Sequence, residues 1–165
     1  YYLVVSRLVP YKKVDLVIKA FNENGLPLKI VGRGSQERYL QRIARRNIEF
    51  LGLLTDTQLL AYYQNCRALI MAQEEDFGIV SLEAQACGKP VIAFNQGGAS
   101  ETVMEGQTGV LFSKQDEFSL NEAIQKLDLL TINPVKCRQN AKRFDKELFK
   151  TRFKKYIEQL WEKMK

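Results

Sequence analysis

Four short polar stretches of the sequence carry residue types that can do chemistry, and each follows directly on an apolar run. The first is Ser6-Arg7-Leu8-Val9-Pro10-Tyr11-Lys12-Lys13, which brings a guanidinium and two ammonium groups to the start of a helical pattern. Such cations suit a diphosphate, because they offset its negative charge as it leaves. Solvated lysines at a helix start would read the same way, although the helix dipole disfavours cations there. The second stretch, Ile30-Val31-Gly32-Arg33-Gly34-Ser35-Gln36, joins glycines that admit close backbone approach to a serine placed to cap the next helix. An ordinary strand-to-helix turn and a phosphate loop share that pattern. The third runs from Gln73 to Glu83 and sets Glu74, Glu75 and Asp76 side by side, where their repulsion is costly unless hydroxyls, water or cations satisfy them. Phe77-Gly78-Ile79-Val80 then opens a helix whose first amides can receive phosphate oxygens, and Glu83 lies one turn further on, placed to grip a diol. An acidic helix start is the plainer alternative. The fourth stretch is Asn95-Gln96-Gly97-Gly98-Ala99.

The elements that must position these loops follow from hydrophobic period. Strand-length apolar runs lie near residues 1–6, 27–32, 47–51, 67–72, 90–94 and 109–113, separated by segments of helical spacing. That alternation predicts an α/β fold, a Rossmann-like three-layer αβα sandwich on a parallel sheet of about six strands. Val14, Val17, Ile18 and Phe21 mark the first helix, which Asn24-Gly25 and Pro27 stop. Further helices are expected over 36–46, 55–65, 81–87, 117–130, 134–144 and 145–163. Ligands of such sheets sit beyond the carboxyl ends of the strands, and all four polar stretches fall there.

Composition narrows the chemistry. With 165 residues, 45% of them hydrophobic, the chain suffices for one domain. It contains no histidine, which removes Ser-His and Cys-His arrangements and the usual general base. Cys66, Cys87 and Cys137 have neither CxxC spacing nor a histidine for a zinc site, so reduced thiols and a cytoplasmic location are expected. The formal charge of +6 admits an anionic partner of any kind. No aromatic-basic or helix-turn-helix pattern points to nucleic acid, and the last helix carries the basic cluster taken into account. That last stretch sets Phe149, Phe153, Tyr156, Ile157, Leu160, Trp161 and Met164 on one face, with Lys146, Lys150, Arg152, Lys154 and Lys155 mostly on the other. Packing on its own or a neighbouring domain accounts for this, and peripheral membrane contact is the alternative.

In order, SRLVPYKK, VGRG, IEFLG, EEDFGIVSLEAQACGKPVIAFNQGGASETV and GQTGVLF closely resemble the C-terminal domain of family 4 retaining glycosyltransferases, over nearly the whole chain. The most specific part is an E-x7-E motif, here Glu75 and Glu83, followed by Gly88-Lys89-Pro90-Val91 and the Gly97-Gly98 loop. The resemblance implies the C-terminal half of a GT-B fold, two Rossmann-like domains facing across a cleft. This half would hold a nucleotide-diphosphate sugar without an obligatory metal or other cofactor. By register, Arg7 and Lys12 are similar to the family's diphosphate pair, Glu75 to the group facing the donor hexose and Glu83 to the ribose carboxylate. The backbone of Phe77, Gly78, Ile79 and Val80 would bind sugar hydroxyls or phosphate. The loop of Gly32 and Gly34 and the strand at Glu49 and Phe50 would flank the base. One departure stands out, since relatives often carry glycine where this chain has Lys13. The strings PYKKVDL and EEDFGIVSLEAQACGKPVIAF look most like bacterial mannosyltransferases, which makes GDP-mannose the first expectation for the donor; the alternatives are a UDP-sugar-dependent GT-B enzyme (a glucosyltransferase, disaccharide synthase or epimerase) and a non-catalytic nucleotide- or anion-binding module. A sequence that opens inside an apparent buried strand suggests a cut between domains, with an N-terminal partner domain and a glycan or lipid-linked acceptor beyond it.

Overall fold

The computed structural model describes residues 1–163. Six strands, β1 (Tyr2–Val5), β2 (Leu28–Val31), β3 (Ile48–Gly52), β4 (Leu69–Met71), β5 (Val91–Phe94) and β6 (Gly109–Phe112), form one sheet in the order β3-β2-β1-β4-β5-β6. Every pairing in it is parallel. Apolar side chains project from both faces, as a parallel sheet covered by helices requires. One buried cluster joins Val4, Ile30, Ile70, Ile92 and Val110 to Val17, Phe21, Leu40 and Ile124; the other joins Leu3, Leu69, Met71, Val91 and Ala93 to Tyr63, Ala84 and Val103. The layers are α1 (Val14–Asn24), α2 (Glu37–Ile43) and α6 (Glu117–Asp128) on the first face, with α3 (Asp56–Asn65), α4 (Ile79–Ala86) and α5 (Ala99–Thr102) on the second. α7 (Pro134–Lys142) packs along α4, and α8 (Lys146–Lys163) ends the described chain.

Several boundaries differ from the periodicity reading for visible reasons. α2 stops at Ile43 rather than Arg46 because Asn22 of α1 intercepts its end: Asn22 Nδ2 donates to Ile43 O at 2.7 Å and Arg45 N–H donates to Asn22 Oδ1 at 3.0 Å. Ser35 is not its cap; that position is Gln36, which makes no side-chain cap bond. α4 begins two residues before Ser81, since Gly78 turns the chain in the left-handed region (φ 74°) and the helix starts at once. α5 is a single turn, too short to show a period. By contrast α3 has a complete capping box, Thr55 with Gln58.

The last helix forms where expected and has no buried residue from Lys146 to Lys163; its first turns share a depression with Phe77 and Phe144. Phe149, Phe153, Tyr156, Ile157 and Trp161 are exposed, and Phe149 stacks on Phe153 at 5.7 Å between centroids. Met164, read as part of the same face, lies outside the described residues. Among those residues no helix is long and apolar enough to cross a membrane.

Candidate functional site

The loop after β1 brings Arg7 and Lys12 to the rim. Its course is fixed by the loop after β2: Ser6 N–H donates to Val31 O at 3.0 Å and Leu8 N–H to Arg33 O at 2.9 Å. Glycine makes that approach possible. A Cβ on Gly32, where φ is 128°, would stand 1.9 Å from the Ser6 carbonyl oxygen, and one on Gly34 would stand 2.2 Å from that of Leu8. These glycines therefore seat the cation-bearing loop. Beside them Gly34 also borders a second depression of about 520 Å³ with Arg33, Ser35, Glu37, Arg38 and Gln41. Arg33, Arg38, Arg42, Arg45 and Arg46 form a basic group around α2 that the sequence reading passed over.

Pro10–Lys12 form a 3-10 turn, with proline at its favoured first position. Lys13 closes the turn and caps α1 at φ 54°, a left-handed conformation that costs a non-glycine residue about 1–2 kcal/mol. This explains why a glycine there would be unremarkable, and it divides the two lysines. Lys13 is exposed, whereas the Lys12 side chain is only 13% exposed and pairs directly with the Glu75 carboxylate. Lys12 Nζ also lies 4.9 Å from the Tyr11 ring centroid, and Arg7 Nη2 donates to the Tyr11 hydroxyl at 2.7 Å.

Glu75 arrives from the loop after β4. Glu74 and Asp76 are exposed, so of the three carboxylates only Glu75 turns inward, where Gln73 Nε2 donates to it at 3.3 Å. Its backbone pairs with Gly97, and Gly98 N–H donates to Glu75 O at 2.7 Å. A Cβ on Gly98 would lie 2.6 Å from Asp76 O and from Phe77 Cα, so the second glycine-rich loop serves as the bed of the first. Beyond Phe77, α4 opens with no side-chain cap, and no group among the described residues accepts the amide hydrogens of Ile79 and Val80. Uncapped first-turn amides and the dipole behind them form an anion-receiving end.

A cleft of about 380 Å³ results, lined by Val5, Ser6, Arg7, Lys12, Gln73, Glu75, Phe77, Gly78, Ile79 and Val80. It lies at the carboxyl ends of β1 and β4, the neighbours at which strand order reverses. Seven of the twelve expected site residues meet there, namely Arg7, Lys12, Glu75, Phe77, Gly78, Ile79 and Val80. Glu83 sits one turn further along α4, where the Tyr63 hydroxyl of α3 donates to its carboxylate at 2.7 Å. Burial first, and that carboxylate second, push the Tyr63 hydroxyl far above its ordinary pKa. Glu49 and Phe50 stay outside the cleft: Glu49 pairs with Lys29 at 2.7 Å, and Phe50 packs half-buried against the core. Gln73, Tyr11 and Tyr63 were missed, because a single glutamine or tyrosine carries no pattern that periodicity or charge can flag.

A doubly wound parallel sheet with cations, a carboxylate and an open helix start at its switch point is the arrangement in which α/β folds receive anionic ligands. Residues 1–144 match the family described as glycosyl transferases group 1, and the chain belongs to that family. It is 32% identical over 154 residues to an uncharacterised glycosyltransferase of Methanocaldococcus jannaschii, covering 88% of this chain and 43% of that protein. It is 38% identical to a GDP-mannose-dependent phosphatidylinositol monomannoside mannosyltransferase of Corynebacterium glutamicum, covering 74% of this chain and 36% of the other. Among solved structures, Anabaena HepE in complex with UDP and glucose is 27% identical with a TM-score of 0.70, covering 87% of this chain and 43% of that one. Sucrose-phosphate synthase from Thermosynechococcus elongatus is 25% identical with a TM-score of 0.82, covering 97% and 45%. The chain thus spans less than half the length of these relatives.

Proposed function

We propose that this chain is the donor-binding half of a retaining hexosyltransferase of GT-B type, taking the sugar from a nucleotide diphosphate to a glycan or lipid-linked acceptor. The observation that carries the reading is the single cleft in which Arg7, Lys12, Glu75 and the Ile79 and Val80 amides converge. In this reading the diphosphate lies between the cations and the helix start, so that charge developing on the leaving group meets fixed positive potential. Glu75 receives hexose hydroxyls, and Glu83, held by Tyr63, receives the ribose diol. As the family resemblance implies, the departing diphosphate itself helps accept the acceptor's proton on the same face, a step that needs no histidine on this domain. A partner domain supplies the acceptor, in a cytoplasmic enzyme that can lie peripherally on a membrane and needs no metal.

GDP-mannose is the first donor to try, supported by the mannosyltransferase relative and by the PYKKVDL and EEDFGIVSLEAQACGKPVIAF strings. A UDP-sugar is the second reading, favoured by the likeness to a neighbour solved with UDP and glucose. A calorimetric panel of GDP-, UDP- and ADP-sugars decides between them. Binding of one family of sugar nucleotides and not of DNA is expected. Tight, salt-sensitive binding of DNA with no sugar nucleotide bound would discard the reading.

A further inference from the structure

Behind the cleft lies a buried polar relay that no substrate can touch. Ser81 of α4, Gln85 one turn on, Thr102 of α5 and Asn140 of α7 are all buried, at 0–2% exposure. Ser81 Oγ donates to Thr102 Oγ1 at 3.0 Å, and Thr102 Oγ1 donates to Gly98 O at 2.9 Å. Gln85 Nε2 donates to Thr102 O at 2.8 Å; Asn140 Nδ2 donates to the same carbonyl at 2.8 Å and to Gln85 Oε1 at 2.7 Å. Arg143 Nη1 in turn donates to Asn140 Oδ1 at 2.9 Å. Every buried side-chain polar atom among the described residues has a partner.

A fully satisfied polar network fixes geometry more sharply than apolar packing of the same volume, because its bonds have direction and a broken one strands a desolvated partner. What this one fixes is the bed of the donor cleft. Thr102 holds the Gly98 carbonyl, and Gly98 in turn holds Glu75 O and lies against Phe77. Ser81, two residues after the first helical residue of α4, ties the open helix start to the same hydroxyl. The carboxylate loop and the amide-bearing helix start are therefore registered to each other through one threonine.

We infer that Thr102, braced by Gln85 and Asn140, is the positioning residue that sets Glu75 against the start of α4 and so makes the site discriminate a sugar nucleotide from the bare nucleotide. The inference rests on the donor-binding reading above. Arg7, Lys12, Glu83 and the Ile79 and Val80 amides of α4 hold the nucleotide from outside the Gly98–Glu75 contact, whereas the hexose depends on Glu75, whose backbone that contact holds.

The test compares GDP-mannose with GDP, and UDP-glucose with UDP, on the wild-type chain and on Thr102→Val, which keeps the shape and removes the hydroxyl. Sugar-nucleotide affinity is expected to fall about tenfold and bare nucleotide affinity about twofold or less, with Thr102→Ser restoring the ratio. Equal losses for both ligands, or a ratio that Ser does not restore, would overturn the inference and leave only a fold-stabilising role. Should Thr102→Val not fold, Ser81→Ala breaks only the tie to α4 and strands no donor; the same sign, more weakly, is expected, and equal losses again overturn it. A wild-type chain that binds none of the four ligands removes the donor-binding reading itself.

Discussion

Glu75 and Lys12 pair with each other across the cleft, and this gives the two halves of a donor opposite dependences on the carboxylate. A diphosphate must draw Lys12 away from Glu75, so Glu75→Gln frees the cation and should tighten binding of bare GDP or UDP about threefold to tenfold, roughly 0.7–1.4 kcal/mol. The sugar nucleotide should lose affinity in the same variant, having lost the group that faces its hexose. Titration calorimetry with both ligands checks this, and losses of equal size for the two would refute the assignment. Arg7→Ala and Lys12→Ala should each remove a charge-assisted contact worth about 1.5–3 kcal/mol, felt by the nucleoside diphosphate and not by the nucleoside. Lys13→Ala should leave binding unchanged, since that residue does not line the cleft; Lys13→Gly should raise stability by about 1 kcal/mol by relieving the left-handed backbone at φ 54°, read as a higher Tm. The cation-bearing loop, the acidic loop and the Phe77–Val80 turn were legible because charge and glycine at strand ends are visible in one dimension, but charge did not separate Glu75 from Glu74 and Asp76 or Lys12 from Lys13; only the family resemblance did. The Lys12–Glu75 pair was not, since it joins loops 63 residues apart and only the fold brings them together.

At the scale of elements, α3 and α8 are opposites. α3 buries Tyr63 and ends at Cys66, and both groups titrate abnormally: burial pushes the Cys66 thiol up to about 11 and raises the Tyr63 hydroxyl further. In each the folded chain holds its proton more tightly than the unfolded one, so the associated stability is complete below the unfolded pKa values and is lost as pH rises through the alkaline range. Tm should fall above about pH 9, and Tyr63→Phe with Cys66→Ala should flatten that fall in a pH series. A wild-type slope kept by the double variant would place the alkaline sensitivity elsewhere. α8 contributes no buried residue, so deleting the chain from Lys146 should shift Tm by less than about 2 °C and lower any self-association seen by light scattering. All six strands were legible from their apolar runs. α5 was not, because four residues show no period, and the end of α2 was not, because the side chain that stops it, Asn22, belongs to another helix.

For the whole molecule, the chain alone is expected to bind a donor and transfer nothing, because the acceptor side of the cleft is proposed to lie in a partner domain. Positioning of that kind is worth about 7–11 kcal/mol of barrier, so donor hydrolysis at a slow rate is the most a product assay should detect. Turnover equal to that of a full-length relative would show the acceptor site to be contained here. The sheet order has a further outcome for how the protein comes into being. Cations from residues 7–12 and carboxylate from residue 75 meet only across the β1–β4 junction, which the backbone closes through Leu3 with Ala68 and Leu69. Each half-sheet, β1-β2-β3 and β4-β5-β6, is assembled from strands consecutive in sequence and can form from shorter-range contacts, whereas the junction between them closes a loop of more than sixty residues. Ligand competence is thus a readout of the closure that joins the two halves: a chain with both half-sheets formed but not yet joined has its strands and no site.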